Sequence, residues 1–419
     1  LAAARDGIAR LNAKHAVPAA FFLFHRPRRW NPAEGTWMGE ERKRGKLADL
    51  NALLRGRGAE RFSLVVGEGS VLGNVRYVIT LDSDTQLPRD SARQFVAVMS
   101  HPLNAPRFDA ASGLVTEGYG ILQPRVGIGM RGASRSWYAR LHSSESGIDP
   151  YTRAVSDVYQ DLAGEGSFIG KGIYEVDAFE RAIAGRFPDN RILSHDLLEG
   201  CHARSGLLSD VALAEETPST YAADVSRRRR WIRGDWQLAG WLLRHVPGPG
   251  GTRLANPLSL LSQWKLFDNL RRSLMPAALT LLLLLGWVLF AAPWIATAAV
   301  IAILALPAAS AWLVALLRKP DEVLARQHLA ASAADAGRQG AQLLLAIAFL
   351  PYEACVNLDA IARTVWRMLV TKRRLLEWNA SAADERDRAA ETRGELAFLF
   401  ASIWIAPVVS IDAASLLAW

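Results

Sequence analysis

The stretch Arg76-Tyr77-Val78-Ile79-Thr80-Leu81-Asp82-Ser83-Asp84 decides the fold prediction, because a run of strand-forming residues ends in two carboxylates. Five of the six residues before Asp82 are apolar, aromatic or β-branched, which predicts a strand buried on both faces. In an open α/β sheet, ligands bind outside the carboxyl ends of the strands, where Asp82 and Asp84 would lie. A hard divalent cation bridges such carboxylates to substrate phosphates, so the pattern indicates a site for a metal and a nucleoside diphosphate.

A purely structural role for the two carboxylates is also open. Asp82 or Asp84 could cap the next helix, with Pro88 in its first turn. The D-x-D pattern is short and common, so the remaining sequence has to decide between the two interpretations.

Length and composition predict one large domain and a second, apolar region. The chain has 419 residues, half of them hydrophobic, and a net charge of +8 that is clustered rather than spread. Clustered positive charge favours anionic lipid or a phosphorylated substrate over nucleic acid. The two cysteines, Cys201 and Cys355, have neither a disulfide framework nor metal-type spacing, which indicates a reducing, cytosolic face. We expect a piece of a longer protein, because the chain starts at Leu1 rather than at a methionine and ends at Trp419 within an apolar run.

Two glycine-containing turns are candidate phosphate or ligand contacts. The basic turn at residues 43–51 precedes an amphipathic helix and could hold phosphate through Lys46 and the helix N-terminus; a solvated charged surface is the alternative. Residues 164–172 form a glycine-rich turn without Walker spacing. Its glycines would let the backbone approach a ligand closely, and an ordinary loop is equally compatible.

The segment 190–200 has a structural and a catalytic interpretation. Ser194 is a suitable N-cap, with Asp196 in the first turn of the helix. Alternatively, Asp196 is a general base presented at a helix start. His195 and His202 could be metal ligands, although isolated histidines usually are not.

A basic, tryptophan-containing helix is predicted within residues 224–245. It could lie on anionic lipid with its tryptophans at headgroup depth. Alternatively, Arg230 faces a diphosphate and Trp231 stacks on a sugar. Both can hold, because a helix has several faces.

Nearly charge-free runs predict membrane helices in the second half of the chain. Residues 276–292 and 294–316 are each long enough to span a bilayer, and basic residues flank the pair on both sides. We therefore predict a transmembrane hairpin at 276–317, with a buried soluble hairpin as the alternative. Residues 246–275 would be an interfacial connector. Residues 318–394 would form cytoplasmic or interfacial helices.

Two further apolar segments carry charges. Residues 341–370 contain charged side chains and Pro351, and the basic run 372–374 follows them, which favours an in-plane or re-entrant segment over a full span. Residues 395–419 would begin another, truncated transmembrane helix. Asp412 within it would face protein or water rather than lipid.

The order of these motifs resembles that of GT-A glycosyltransferases of the membrane-embedded processive type, such as the cellulose and hyaluronan synthases. Residues 46–51 look like their K-x-x-x-L-N element, followed by the D-x-D pair, an aspartate at 196 and an R-x-x-R-W helix at 227–231. Residues 77–89, 121–125, 164–172 and 193–200 resemble more closely the glycosyltransferase family 84 domain of cyclic β-1,2-glucan synthases.

The resemblance implies an α/β, GT-A-like domain with a Rossmann-like mixed sheet at residues 1–245, lacking the first strand of the fold. It implies an inverting transfer from UDP-glucose to a glucan acceptor, with Asp196 as the base. It also implies Mg²⁺ or Mn²⁺ on Asp82 and Asp84. The diphosphate contacts it implies are Lys46, Asp82, Asp84, Arg227 and Arg230, and the acceptor contacts are Trp231, Gly166 and Ser167.

The resemblance also implies partners and a location. These are the lipid bilayer, a larger synthase with a phosphorylase-like domain, no nucleic acid, and the cytoplasmic side of a bacterial inner membrane. Within enzymes, the alternatives are a synthase of another β-glucan or a single-addition transferase. The non-enzymatic alternative is a membrane transport or anchoring module.

Overall fold

The computed structural model describes residues 1–15, 20–129, 136–142, 158–216, 218–319 and 321–378. In this part of the chain the α-helices are α1 Ala2–His15, α2 Arg42–Leu54, α3 Ser91–Met99, α4 Trp137–His142, α5 Val158–Ala163, α6 Val176–Ile183, α7 Asp196–Ala203, α8 Tyr221–Gln237, α9 Leu260–Leu289, α10 Trp294–Leu317 and α11 Ala325–Trp366. The strands are β1 Leu23–His25, β2 Arg29–Asn31, β3 Thr36–Met38, β4 Leu64–Val66, β5 Tyr77–Thr80, β6 Arg107–Asp109, β7 Leu114–Glu117, β8 Ile121–Ile128, β9 Gly172–Glu175, β10 Ser205–Glu215, β11 His245–Pro247 and β12 Arg253–Ala255.

A four-stranded mixed sheet organises the first half of the chain, in the order β10-β8-β9-β5. Strands β10 and β8 are parallel, whereas β9 is antiparallel to both β8 and β5. The predicted mixed sheet is therefore present. Strands β1 and β4, β2 and β3, β6 and β7, and β11 and β12 form separate two-stranded pairs.

Strand β5 differs from its prediction. It was expected to be buried on both faces, but only Thr80 is buried and the three preceding residues are half-buried. The reason is its position, because β5 is at the edge of this sheet among the residues that the structure describes. The apolar run in the sequence indicates a strand correctly, but it does not tell an edge strand from a central one.

The two faces of the sheet bury different apolar clusters, as alternating side chains require. Ile121 and Tyr174 pack on one face with α6. Leu122, which follows Ile121, and Ile173, which precedes Tyr174, pack on the other face with Phe95 of α3. Helices therefore cover both faces of the sheet, which leaves the strand ends as the accessible edge.

The helix starts differ from the predicted caps. Helix α7 begins at Asp196 with His195 at the N-cap position and no side-chain capping bond, so the prediction of Ser194 as N-cap is wrong. Ser194 instead packs against Gly234 of α8, where an added Cβ would lie 2.3 Å from the Ser194 Cβ. The alternative role of Asp82 or Asp84 as a helix cap is also wrong, because α3 begins at Ser91 after Asp90.

Helices α9, α10 and the α11 segment through residue 371 are each long and apolar enough to cross a membrane. Helices α9 and α10 match the predicted hairpin, except that α9 already begins at Leu260, inside the predicted connector. The two helices approach closely at Gly286, where an added Cβ would lie 2.2 Å from the Ala296 Cβ. Helix α11 runs without a break through Pro351, where an in-plane or re-entrant segment was predicted. The predicted span at 395–419 lies outside the described residues.

Helix α8 connects the sheet domain to the apolar helices. Gln237 Oε1 accepts a hydrogen bond from the Leu193 backbone, just before α7. On another face, Trp236 Nε1 donates to Ser273 Oγ of α9, and Asn357 of α11 donates to the Ser273 carbonyl. Helix α8 therefore contacts both the segment that leads into Asp196 and the apolar helices.

Candidate active site

Two lysines hold the carboxylate of Asp82, which lies two residues beyond the end of β5. Lys43 Nζ lies 2.5 Å from Asp82 Oδ1, and Lys171 Nζ lies 3.2 Å from Asp82 Oδ2. Lys43 comes from the first turn of α2, and Lys171 directly precedes β9. Burial alone would raise the pKa of the Asp82 carboxyl, but the two ammonium groups outweigh burial and hold the pKa below its usual range.

The buried Lys171 extends this network to the end of the parallel strand β10. Its Nζ lies 2.5 Å from Glu215 Oε1, and Thr85 Oγ1 donates to the same oxygen over 3.1 Å. Burial would lower the pKa of Lys171, but Glu215 and Asp82 offset burial and raise it. The ion pairs of Lys171 therefore connect the residues after β5 to the end of β10 at one edge of the sheet.

Gly170 brings Asp196 to the same edge. The Gly170 carbonyl accepts a hydrogen bond of 2.7 Å from Lys43 Nζ, so Lys43 bridges Asp82 to the glycine-rich loop. Gly170 has a φ of +86°, and a Cβ added there would lie 2.6 Å from Asp196 Oδ1. Only glycine lets the Asp196 carboxylate pack this closely on the backbone. Asp82 and Asp196 therefore lie on the two sides of one small contact made by Lys43 and Gly170.

A buried histidine contacts Asp196 and a second, buried carboxylate. His195 Nδ1 lies 2.9 Å from Glu199 Oε1 and 3.4 Å from Asp196 Oδ1, and both His195 and Glu199 are buried. Burial would lower the pKa of His195, but Glu199 and Asp196 outweigh it and raise the pKa. The contacts of His195 with Glu199 and Asp196 restrict the positions of both carboxylates.

The same three side chains also have the spacing of a metal site, since one potential ligand atom from each lies within 4.8 Å of the others. The 2.9 Å contact between His195 and Glu199 also fits a pairing of these side chains with each other rather than with a metal. His202 does not belong to this group. Its Nδ1 lies 2.8 Å from the Leu198 carbonyl, and burial lowers the pKa of His202 to about 4.

The residues of the basic helix α8 that were predicted to bind the diphosphate or the acceptor lie in two different surroundings. Arg227 is paired with Asp224 at 3.1 Å, and its guanidinium lies 4.8 Å from the centroid of the Trp231 ring. Arg230 lies one turn before Gly234 and lines a cavity of about 300 Å³ between α8 and α11. The predicted diphosphate and acceptor residues of α8 are therefore divided between a stacked pair and a cavity.

Comparison with known proteins identifies the family. Residues 77–314, more than half of the chain, match the glycosyl transferase family group 2. The chain belongs to this family. It is also 40% identical over 420 aligned residues to the cyclic beta-(1,2)-glucan synthase NdvB of Rhizobium meliloti (strain 1021). That alignment covers 99% of this chain and 14% of the relative, so the chain spans about one seventh of the curated relative that it matches.

The structure places the remaining predicted residues of this glycosyltransferase apart from the Asp82 network. Lys46 is exposed, because α2 turns Lys43 and Leu47 towards the protein and Lys46 away from it. Gly166 and Ser167 are buried, and the Gly166 carbonyl accepts a hydrogen bond of 2.8 Å from Lys265 Nζ of α9. Their roles as diphosphate and acceptor contacts stay predictions.

The carboxylates of this site fit a hard divalent cation. Asp84 lies exposed on the turn after Asp82, and oxygen donors of this kind suit Mg²⁺ or Mn²⁺. Asp82 itself already attracts two cationic groups, which shows that its surroundings favour positive charge. With Glu215 and Asp196 nearby, the carboxylates outnumber the two ammonium groups.

Three members of the network were not singled out in the sequence: Lys43, Lys171 and Glu215. Both lysines lie in the glycine-containing turns described above. Lys43 is three residues before Lys46, and Lys171 directly follows Gly170. Glu215 could have been found from its place at the end of a strand, because the carboxyl ends of parallel strands meet at the same edge.

Proposed function

We propose that this chain is the membrane-bound glucosyltransferase part of a larger synthase, and that it transfers glucose from UDP-glucose to a growing β-1,2-glucan. Membership in the glycosyl transferase family supports the reaction class. The name of the R. meliloti relative supports the product, and the small share of that relative which aligns here supports a larger assembly.

One observation carries the proposal: Asp82 and Asp196 face a common edge of the sheet, joined through Lys43 and Gly170. A transferase needs a group that holds the diphosphate and, next to it, a base for the acceptor. A transport or anchoring module needs neither. Asp82 and Asp196, more than one hundred positions apart in the chain, would provide both at one place.

The proposed reaction is a single in-line displacement. The donor carries an α-linked phosphate and the product is β-linked, so configuration at the glucose C1 inverts once. The acceptor 2-hydroxyl oxygen forms a bond to C1, the bond between C1 and the diphosphate oxygen breaks, and UDP leaves. Asp196 takes the hydroxyl proton, which contributes on the order of 10²–10⁴-fold for a well-placed base.

The leaving group is stabilised by positive charge. Lys43 contacts Asp82 in this structure, and its side chain can move so that Nζ contacts the departing diphosphate. The buried Lys171 stays paired with Glu215. When bound by Asp82 and Asp84, Mg²⁺ or Mn²⁺ would supply further charge to neutralise the diphosphate. Arg230 and Lys46 are proposed to contact the diphosphate, and Trp231 the acceptor sugar.

The membrane part gives the proposed site its location. Three helical segments are apolar enough to span a bilayer, and Lys265, Arg271 and Arg272 precede the apolar part of α9. Positive charge next to a span favours the cytoplasmic side. We therefore place the transferase on the cytoplasmic face of a bacterial inner membrane, where a nucleotide sugar is available.

The test is transfer by membranes that carry the full-length protein, supplied in parallel with labelled UDP-glucose, UDP-galactose and UDP-N-acetylglucosamine. We expect incorporation from UDP-glucose alone, into polymer that linkage analysis shows to be 1,2-linked. A polymer with another linkage would favour another β-glucan synthase, and one added sugar would favour a single-addition transferase. Failure of folded protein to transfer any sugar would contradict the proposal.

A further inference from the structure

Lys265 is a buried lysine of α9 that the proposed mechanism does not use. It lies in the second turn of the helix, and only 4% of its side chain is exposed. Burying an ammonium group is costly unless the group is paired and hydrogen-bonded. The hydrogen-bond and ion-pair partners that the structure describes for Lys265 all lie in the glycine-rich loop, residues 164–172.

These partners are at the start of the glycine-rich loop. Lys265 Nζ donates a hydrogen bond of 2.8 Å to the Gly166 carbonyl and lies 3.4 Å from Glu165 Oε2. Arg204, which follows α7, contacts the same part of the loop. Its Nη2 donates to the Gly164 carbonyl over 3.2 Å, and its Nε lies 3.9 Å from Glu165 Oε1. Side chains from α9 and from the end of α7 therefore hold the start of the loop.

The later part of the loop packs on α7, the helix that begins with the proposed base. A Cβ added to Gly200 of α7 would lie 2.8 Å from the Phe168 Cβ, and a Cβ added to Gly170 would lie 2.6 Å from Asp196 Oδ1. The loop therefore contacts α7 at two points. One of these points is the Asp196 carboxylate itself.

The loop has little room to absorb a displacement between its two ends. The Gly166 amide donates to the Ser205 carbonyl of β10 over 2.7 Å, and the Ile169 amide donates to Gln123 Oε1 over 3.0 Å. Phe168 between them is buried. Because a close-packed interior transmits small shifts, a movement of Gly166 is expected to change the position of the residues packed on α7.

We propose that Lys265 is a positioning residue for sugar transfer, which holds the glycine-rich loop so that Gly170 keeps the Asp196 carboxylate in place. This inference rests on the proposed function, since it assigns Lys265 to the same reaction. Among the described contacts, Lys265 reaches Asp196 only through the loop. Helix α9 is also one of the segments apolar enough to cross a membrane, so this contact connects the membrane part of the chain to the base.

The first test is Lys265→Met in membranes that carry the full-length protein. Methionine has nearly the same length but lacks the donor and the charge. The kcat at saturating UDP-glucose is expected to fall roughly tenfold to a hundredfold, since small displacements at a reacting group are costly. UDP binding should stay within about twofold, because Asp82 and Asp84 are not among the contacts of Lys265.

Arg271→Met is the matched control, because it removes one positive charge from the same helix without touching the loop. Arg272 stays 3.1 Å from Asp268, the carboxylate that Arg271 also contacts. This variant is expected to keep kcat within about twofold of the wild type. Thermal unfolding of each variant checks that the fold is retained.

A double variant tests the route from Lys265 to the base. If both residues act on the position of Asp196, Lys265→Met combined with Gly170→Ala lowers kcat by less than the product of the two single effects. Glu165→Gln serves as a second variant should Lys265→Met fail to fold, because it keeps the hydrogen bond to Gly166. It is expected to lower kcat roughly threefold, with the same non-additivity towards Gly170→Ala.

Hydrogen exchange of the purified full-length protein tests the contact without any sugar transfer. The Gly166 and Ile169 amides are expected to exchange about tenfold faster in Lys265→Met than in the wild type or in Arg271→Met, since a hydrogen bond from a charged group is lost. Unchanged exchange would overturn the proposal, and so would wild-type kcat or multiplying effects in the folded variants. A wild type that transfers no sugar would instead contradict the proposed function, and the exchange comparison would still decide whether Lys265 holds the loop.

Discussion

The sheet edge and the arginine-lined cavity between α8 and α11, called the arginine cavity, treat charge in opposite ways. At the sheet edge, Lys43 and Lys171 lie within 3.2 Å of Asp82, and Lys171 also reaches Glu215. In the cavity, four arginines share two acids. The sheet edge has lysines that can give up an acid to a bound cation, whereas the cavity has more arginines than acids among the described residues. The difference in charge favours a cation at the first site and an anion at the second.

The largest expected effect at the sheet edge comes from Asp196. Asp196→Asn removes the proposed base but keeps the size of the side chain, so transfer is expected to fall roughly 10²–10⁴-fold while UDP binding is retained. Single-turnover transfer and UDP binding by calorimetry measure the two effects. Asp210→Asn, an exposed change on β10, is the matched control. Loss of UDP binding in folded Asp196→Asn protein would contradict the assignment of the base.

The next effect tests the cation at the same edge. Excess EDTA is expected to stop transfer, and Mg²⁺ or Mn²⁺ to restore it. Asp84→Asn should lower transfer on the order of a hundredfold, because it removes an oxygen ligand from the charge that stabilises the leaving diphosphate. Full transfer in excess chelator would remove the metal from the mechanism.

A smaller effect comes from moving Asp196 without changing it. Gly170→Ala places a Cβ 2.6 Å from Asp196 Oδ1 and is expected to lower transfer roughly tenfold to a hundredfold, since small displacements at a reacting group are costly. Gly185→Ala is the control, because Gly185 also has a positive φ of +68° but has open space at its Cβ position. The contact is dispensable if the two variants transfer sugar equally.

The smallest effect concerns pH. The pKa of His195 is raised in the folded protein, so its cation is fully present below the usual histidine pKa and is lost as pH rises through the raised value. Transfer should therefore decline on the alkaline side. His195→Gln should be a few-fold less active at neutral pH and should lack this decline. An unchanged pH profile in the folded variant would exclude a role for His195 in holding Asp196.

These two regions also show what the sequence could predict. The apolar run before Asp82 predicted a strand and a ligand edge, because strand periodicity and the strand-end rule are local. The choice between Lys43 and Lys46 was not predictable in this way. It depends on where α2 begins, after Glu41 in a left-handed conformation that its contacts with Arg44 and the Asn190 backbone hold.

Local sequence rules could not have predicted the arginine cavity. The basic run of α8 was recognised as a helix for lipid or diphosphate, but the partners Arg363 and Arg367 are distant in sequence. Residues 341–370 were predicted as in-plane or re-entrant because they carry charges and a basic run, 372–374, follows them. In the structure those charges mostly meet α8 or one another, as Glu353 meets Arg228 at 2.8 Å, so a continuous helix can accommodate them.

A structure of the full-length protein with UDP and Mn²⁺ tests the central claim most directly. The account predicts the diphosphate at Asp82 and Asp84, Lys43 Nζ moved from Asp82 to a phosphate oxygen, and the Asp196 carboxylate facing the space where glucose would lie. UDP phosphates bound away from Asp82 and Asp84, with Lys43 still paired to Asp82, would contradict it.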